Sequence, residues 1–80
     1  MGADVVAIIG EFVRSRLLAD GAQPLTPETR LLTEGLIDSL GVTVLTAFLE
    51  ERFDVYLDGS EIRAGGTETI REIAALVERR

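Results

Sequence analysis

The sequence predicts an all-α fold: three substantial helices, one short helix, and a long loop between the first two. Three observations carry that reading. Apolar residues recur at helical spacing in three separate stretches, two of them beginning at a strong capping residue and the third at a capping box. Asp20-Gly21, Pro24, Pro27 and Gly65-Gly66 punctuate the chain between them. Val55-Tyr56-Leu57 has strand character, but no second convincing strand exists to pair with it.

Asp4 caps the first expected helix, which runs to about Leu18 with Val5, Ile8, Ile9, Phe12, Val13 and Leu17 on its apolar face. Gly10 inside it costs about 1 kcal/mol relative to alanine. From Asp20 to Ile37 the chain is a connection. It contains Leu25, Leu31, Leu32, Leu36 and Ile37, so it is expected to pack across the helices. The second helix spans Ser39 to about Phe53 behind the N-cap Asp38. Stepping about 100° per residue places Val42, Leu45, Leu49 and Phe53 toward the core. Ser39, Thr43, Thr46 and Glu50 form a polar stripe, and Leu40, Val44 and Ala47 occupy a third sector beside Ser39. This apolar arc is wider than one packing face needs, so Leu40 and Val44 are expected to be partly covered by the loop and partly free for docking. Asp54 to Asp58 is a connector. Asp58 and Glu61 cap a one-turn helix near Ser60 to Arg63. Thr69 and Glu72 then form a capping box for the last helix, with Ile70, Ile73, Leu76 and Val77 inward and Arg79 and Arg80 complementing its C-terminal dipole.

Composition narrows the chemistry. Eighty residues make one small domain, 1–80, with a thin core. The chain has no cysteine and no histidine, which excludes disulfides, thiolate metal sites and the commonest general base. All eight basic residues are arginine. A net charge of −6 argues against a nucleic-acid partner. The apolar run Val5 to Ile9 is too short to span a bilayer, and the N-terminus lacks the signal-peptide pattern, so no membrane association and a cytoplasmic location are expected. A calcium loop at Asp54 to Glu61 fails on spacing, since Tyr56 and Gly65 would fall at ligand positions, and no metal site is expected.

One handle remains. Gly35-Leu36-Ile37-Asp38-Ser39-Leu40-Gly41 places a serine in the first turn of a helix, where backbone N–H groups are unpaired and the dipole is positive. A phosphate ester on Ser39 is electrostatically favoured there. Ser39 is not a nucleophile of the domain's own chemistry: no histidine or lysine exists to act as base, and the Gly-x-Ser-x-Gly elbow is absent. It reads as a passive hydroxyl modified by another enzyme. The structural alternative is a small polar residue in a first helical turn, as at Ser60.

These residues resemble the acyl and peptidyl carrier proteins, across roughly the whole chain. The similarity is carried by Leu36-Ile37-Asp38-Ser39-Leu40, then by Leu45, Leu49, Glu50, Glu51 and Phe53-Asp54-Val55, and by Thr69-Ile70-Arg71-Glu72-Ile73. The resemblance implies a four-helix bundle of the acyl-carrier type, with 4′-phosphopantetheine attached to Ser39 and Asp38 beside it. It implies a non-enzymatic, monomeric carrier that holds acyl or aminoacyl groups as thioesters. The implied partners are a phosphopantetheinyl transferase, an adenylating or acyl-loading enzyme and downstream thioester-processing enzymes, which dock at Leu40, Val44 and Ala47. Gly41 and Val44 stand where fatty-acid carriers tend to have acidic residues. Thr29-Arg30-Leu31-Leu32 through Ser39 is more similar to freestanding aminoacyl carriers loaded by separate adenylating enzymes, which occur in specialised-metabolite pathways making polyketides, nonribosomal peptides and antibiotics, and in D-alanine transfer. The alternative is a helical protein-interaction module without a prosthetic group.

Overall fold

The computed structural model describes residues 4–18 and 25–80. Asp20, Gly21 and Pro24, expected to open the connection, lie outside the described residues, as do Met1 to Ala3. The described chain is all-helical, with three α-helices: α1 (Val5–Phe12), α2 (Ser39–Phe53) and α3 (Ile70–Arg79). The short fourth helix is a single 3₁₀ turn, Gly59–Glu61. No strand occurs among the described residues.

Asp4 caps α1 by accepting from the Ala7 N–H at 3.2 Å. The helical path continues to Leu17, but Val13–Leu17 is π-helical. The Ser15 hydroxyl donates to the Glu11 carbonyl at 2.8 Å, competing for an acceptor that the α-helical ladder needs. The ladder widens there and closes with Leu18 N–H on the Val13 carbonyl at 3.0 Å. Gly10 faces α3: a Cβ built on it would lie 3.7 Å from Ile70 Cδ1, an ordinary packing distance.

One core joins Ile9 and Val13 of α1, Val42, Leu45 and Leu49 of α2, and Ile70, Ile73, Ala74 and Val77 of α3. Leu31 and Ile37 of the connection, with Leu57 and Ile62 flanking the 3₁₀ turn, complete it. The connection therefore packs as expected, with Leu25, Leu32 and Leu36 half-buried against the same cluster. Phe53 and Leu76, expected inward, are half-buried instead. Ala74 takes the core position beside Ile73 and Val77 in α3. Thr46, expected in the water-facing stripe, is likewise half-buried.

The 3₁₀ turn, expected near Ser60 to Arg63, spans Gly59–Glu61, with Asp58 as its cap as expected and Ile62 already extended. Asp58 accepts from Ser60 N–H at 2.9 Å, and Glu61 accepts from Asp58 N–H at 3.0 Å. Arg80 then reaches back from the end of α3 to pair with Glu61 and donate to the Tyr56 carbonyl. The arginine expected to complement a dipole is thus a tertiary tie. Both Asp58 and Glu61 are held below the usual carboxylate range, Asp58 by the Ser60 N–H and Glu61 by the Arg80 guanidinium. No helix of the described residues is long and apolar enough to cross a membrane.

Candidate functional site

The α2 N-terminus is built by Asp38. Its backbone is extended and its carboxylate accepts from Gly41 N–H at 2.9 Å, while its carbonyl takes Val42 N–H at 2.9 Å. Ser39 and Leu40 are the next two residues, and their N–H groups have no intrahelical acceptor in such a turn. Ser39 is exposed. Its carbonyl accepts from Thr43 Oγ1 at 3.1 Å, and its own hydroxyl has no partner among the described residues. Ser60 differs: its hydroxyl donates to Asp58 Oδ1 at 3.0 Å. The two serines that look alike in sequence are therefore chemically distinct: among the described residues one hydroxyl is engaged and the other is not.

Leu40 is 70% exposed and Val44 40% exposed, with Ala47 exposed beside them. Leu40 and Val44 are thus each partly exposed, Leu40 the more so. The connection's polar groups are drawn toward the start of α3. A groove of about 320 Å³ opens on the other side of Ser39, lined by Leu32, Val42, Thr43, Gly59 and Ile62. Gly41 has a steric reason: a Cβ there would stand 3.0 Å from Ile37 Cβ, closer than packed carbons accommodate without a shift.

Glu68 organises the approach to the serine, and sequence reasoning missed it. It is buried, with 3% exposure. One carboxylate oxygen accepts from Leu32 N–H at 3.0 Å and Thr33 N–H at 2.6 Å. The other accepts from Thr33 Oγ1 at 2.5 Å and Gly65 N–H at 2.9 Å. The Glu68 carbonyl also takes Leu31 N–H at 3.3 Å. Leu31 in turn accepts from Leu36 and Ile37 N–H at 2.9 and 3.1 Å, which closes the turn leading directly into Asp38 and Ser39. The Thr33 hydroxyl first, with backbone N–H donors after it, holds the Glu68 carboxyl down to about 2 against desolvation. A buried charge is tolerable here because every bond it accepts stabilises the ionised form.

At the far end of the connection, Pro27 accepts from Arg71 N–H at 3.0 Å, and Glu28 pairs with Arg71 Nε at 2.6 Å. The segment before Ser39 is thus a strap fastened at one end to Glu68, just ahead of α3, and at the other to Arg71 in its first turn. Thr69 caps that helix, and Glu72 accepts from Thr69 N–H at 3.1 Å and Glu68 N–H at 3.0 Å, which lowers its own pKa.

The arrangement offers an accessible, unengaged hydroxyl in a positive helix-terminal field, with an apolar surface on one side and a groove on the other. Among the described residues no group of three or more acidic side chains is placed to hold a metal ion. No protein-family model matches the chain, and comparison with curated proteins and with solved structures finds no match.

Proposed function

We propose that this protein is a carrier of the acyl or peptidyl type, in which Ser39 receives 4′-phosphopantetheine from coenzyme A. The single observation that supports this most is the state of Ser39: exposed, at the first position of a 15-residue helix, its hydroxyl without a partner among the described residues while its neighbour's carboxylate is turned onto Gly41. The residues present fit such an arm. Its phosphodiester would lie by the unpaired N–H groups of Ser39 and Leu40, and the Leu32–Ile62 groove begins at the attachment point.

The modification joins Ser39 Oγ to the β-phosphorus of coenzyme A. The pyrophosphate bond breaks, 3′,5′-ADP leaves, and the serine proton passes to a base on the transferase, since this chain offers no histidine or lysine. The arm supplies the thiol that a cysteine-free domain lacks, and cargo is held on it as a thioester. Leu40, Val44 and Ala47 form the docking surface for the transferase, the loading enzyme and the processing enzymes. With Gly41 and Val44 in place of acidic residues, that surface favours apolar contact, in keeping with a freestanding carrier of specialised metabolism working in the cytoplasm.

The test is intact-mass measurement after incubation with coenzyme A and a broad-specificity phosphopantetheinyl transferase. The expected result is a gain of one phosphopantetheine, lost in Ser39→Ala and kept in Ser60→Ala. No gain, under conditions that modify a control carrier, overturns the proposal. The 70% exposure of Leu40 also favours a second reading, an interaction module without a prosthetic group. That reading prevails if the protein stays unmodified and Leu40→Asp breaks a complex that Ser39→Ala leaves intact.

A further inference from the structure

The exposed apolar stripe of α2 does not end near Ser39. Steps of four residues carry it from Leu40 through Val44 to Phe48, drifting by about 40° per step. At Phe48 it meets α1. Phe48 stacks on Phe12 with ring centroids 3.9 Å apart and planes 10° from parallel, and Phe53 meets Phe48 edge-on at 6.4 Å. The stacked pair walls an open groove of about 420 Å³ that is also lined by Ile8, Ser15, Arg16 and Arg52.

Two arginines frame these rings. The Arg16 guanidinium carbon lies 5.9 Å from the Phe12 centroid and that of Arg52 lies 5.3 Å from the Phe53 centroid. The carboxylate on this groove, Glu11, is already bonded to Arg14 at 2.9 Å. Neither Arg16 nor Arg52 pairs with a carboxylate among the described residues. On a chain of net charge −6, an apolar groove therefore carries two cations that no carboxylate among the described residues compensates. Arg16 and Ser15 stand on the π-helical turn, a rare backbone form that is frequent at functional sites.

We propose that this groove docks a partner protein through an acidic segment bearing an apolar side chain. The apolar side chain packs on the Phe12–Phe48 pair, and carboxylates take the two guanidinium forks. A basic segment meets like charge here, so the surface selects by sign as well as by shape. The assignment stands whether or not Ser39 carries a prosthetic group.

The test pans a random peptide display library against the Ser39→Ala protein, so that no arm contributes. Peptides are then counter-selected on the same protein carrying Arg16→Glu and Arg52→Glu, two exposed positions whose exchange leaves the core intact. The enriched sequences are expected to be acidic with an aromatic or aliphatic residue. The synthetic consensus peptide is expected to bind at least about tenfold more weakly to the charge-reversed protein, and more weakly at high salt. Amide shifts on binding are expected around Ile8, Phe12, Phe48 and Arg52. A neutral or basic consensus, equal affinity for the charge-reversed protein, or shifts confined to Leu40 and Val44 overturns the proposal. Self-association that the charge reversal abolishes, seen by sedimentation without peptide, overturns it in favour of a second copy of this chain.

Discussion

Leu40 and Leu49 are the same residue type on the same helix, nine positions apart. Nine steps of about 100° bring them to opposite sides of α2. Leu49 is fully buried and Leu40 is 70% exposed. Removing the Leu49 side chain to Cβ forfeits the transfer free energy of a buried leucine and leaves a cavity among residues that relax only partly. The expected cost of Leu49→Ala is about 2–5 kcal/mol. For a domain of this size each kcal/mol moves the melting temperature by roughly 4–8 °C, so the transition falls by about 8 °C or more. Marginal stability in so small a domain makes outright unfolding at the upper end an expected result. Leu40→Ala removes a side chain already in water and is expected to stay within about 0.5 kcal/mol of wild type. Calorimetry or circular dichroism on the two variants measures the difference directly. A Leu49→Ala midpoint within about 4 °C of wild type, or a Leu40→Ala loss as large as that of Leu49→Ala, would refute the rotation assigned to α2.

Three further outcomes follow from the hydrogen bonds. Glu68 has its pKa lowered from 4.5 to about 2 in the fold, so the stability carried by its ionised form is fully present above about 4.5 and drains away as pH falls toward 2. Denaturant titrations at several pH values should show Glu68→Gln destabilised near neutrality, with a shallower acid slope than wild type. Equal slopes refute the assignment. Asp54, the residue that ends α2, sits in left-handed backbone at φ 58°, so Asp54→Gly is expected to raise stability by up to about 1 kcal/mol, read as a higher melting temperature. Asp38→Ala removes the carboxylate on Gly41 N–H and is expected to cost about 1 kcal/mol, whereas Asp38→Asn, which can still cap, loses little.

The features legible in the sequence are those whose physics is local. Asp38, Asp58 with Glu61, and Thr69 with Glu72 announce helix starts because each cap bonds within three residues of itself. The three faces of α2 separate on a helical wheel because burial there follows the period of the helix. Glu68 was illegible for the opposite reason. Between Thr67 and Thr69 it reads as an ordinary surface acid, and its partners Leu32 and Thr33 lie 36 and 35 residues away. The same distant tie turns the strap's polar groups toward the segment entering α3, while its Leu31 and Ile37 side chains go into the core. The π-helical turn after Phe12 depends on one hydroxyl choosing its own backbone, which apolar periodicity does not register. Asp54 in left-handed backbone gives no pattern signal either, since aspartate is equally at home in ordinary turns.

The Glu68 clasp also sets an order of events at the ribosome. Residues 31 to 39 emerge first and hold only their own short turn, while the carboxylate that fixes them is translated about three dozen residues later. The platform in front of the serine is therefore finished only after residue 68 has left the exit tunnel. A nascent or prematurely terminated chain ending before position 68 would present the same hydroxyl on an unfastened leash, and under the proposed carrier role an enzyme that reads the fastened form would pass it by.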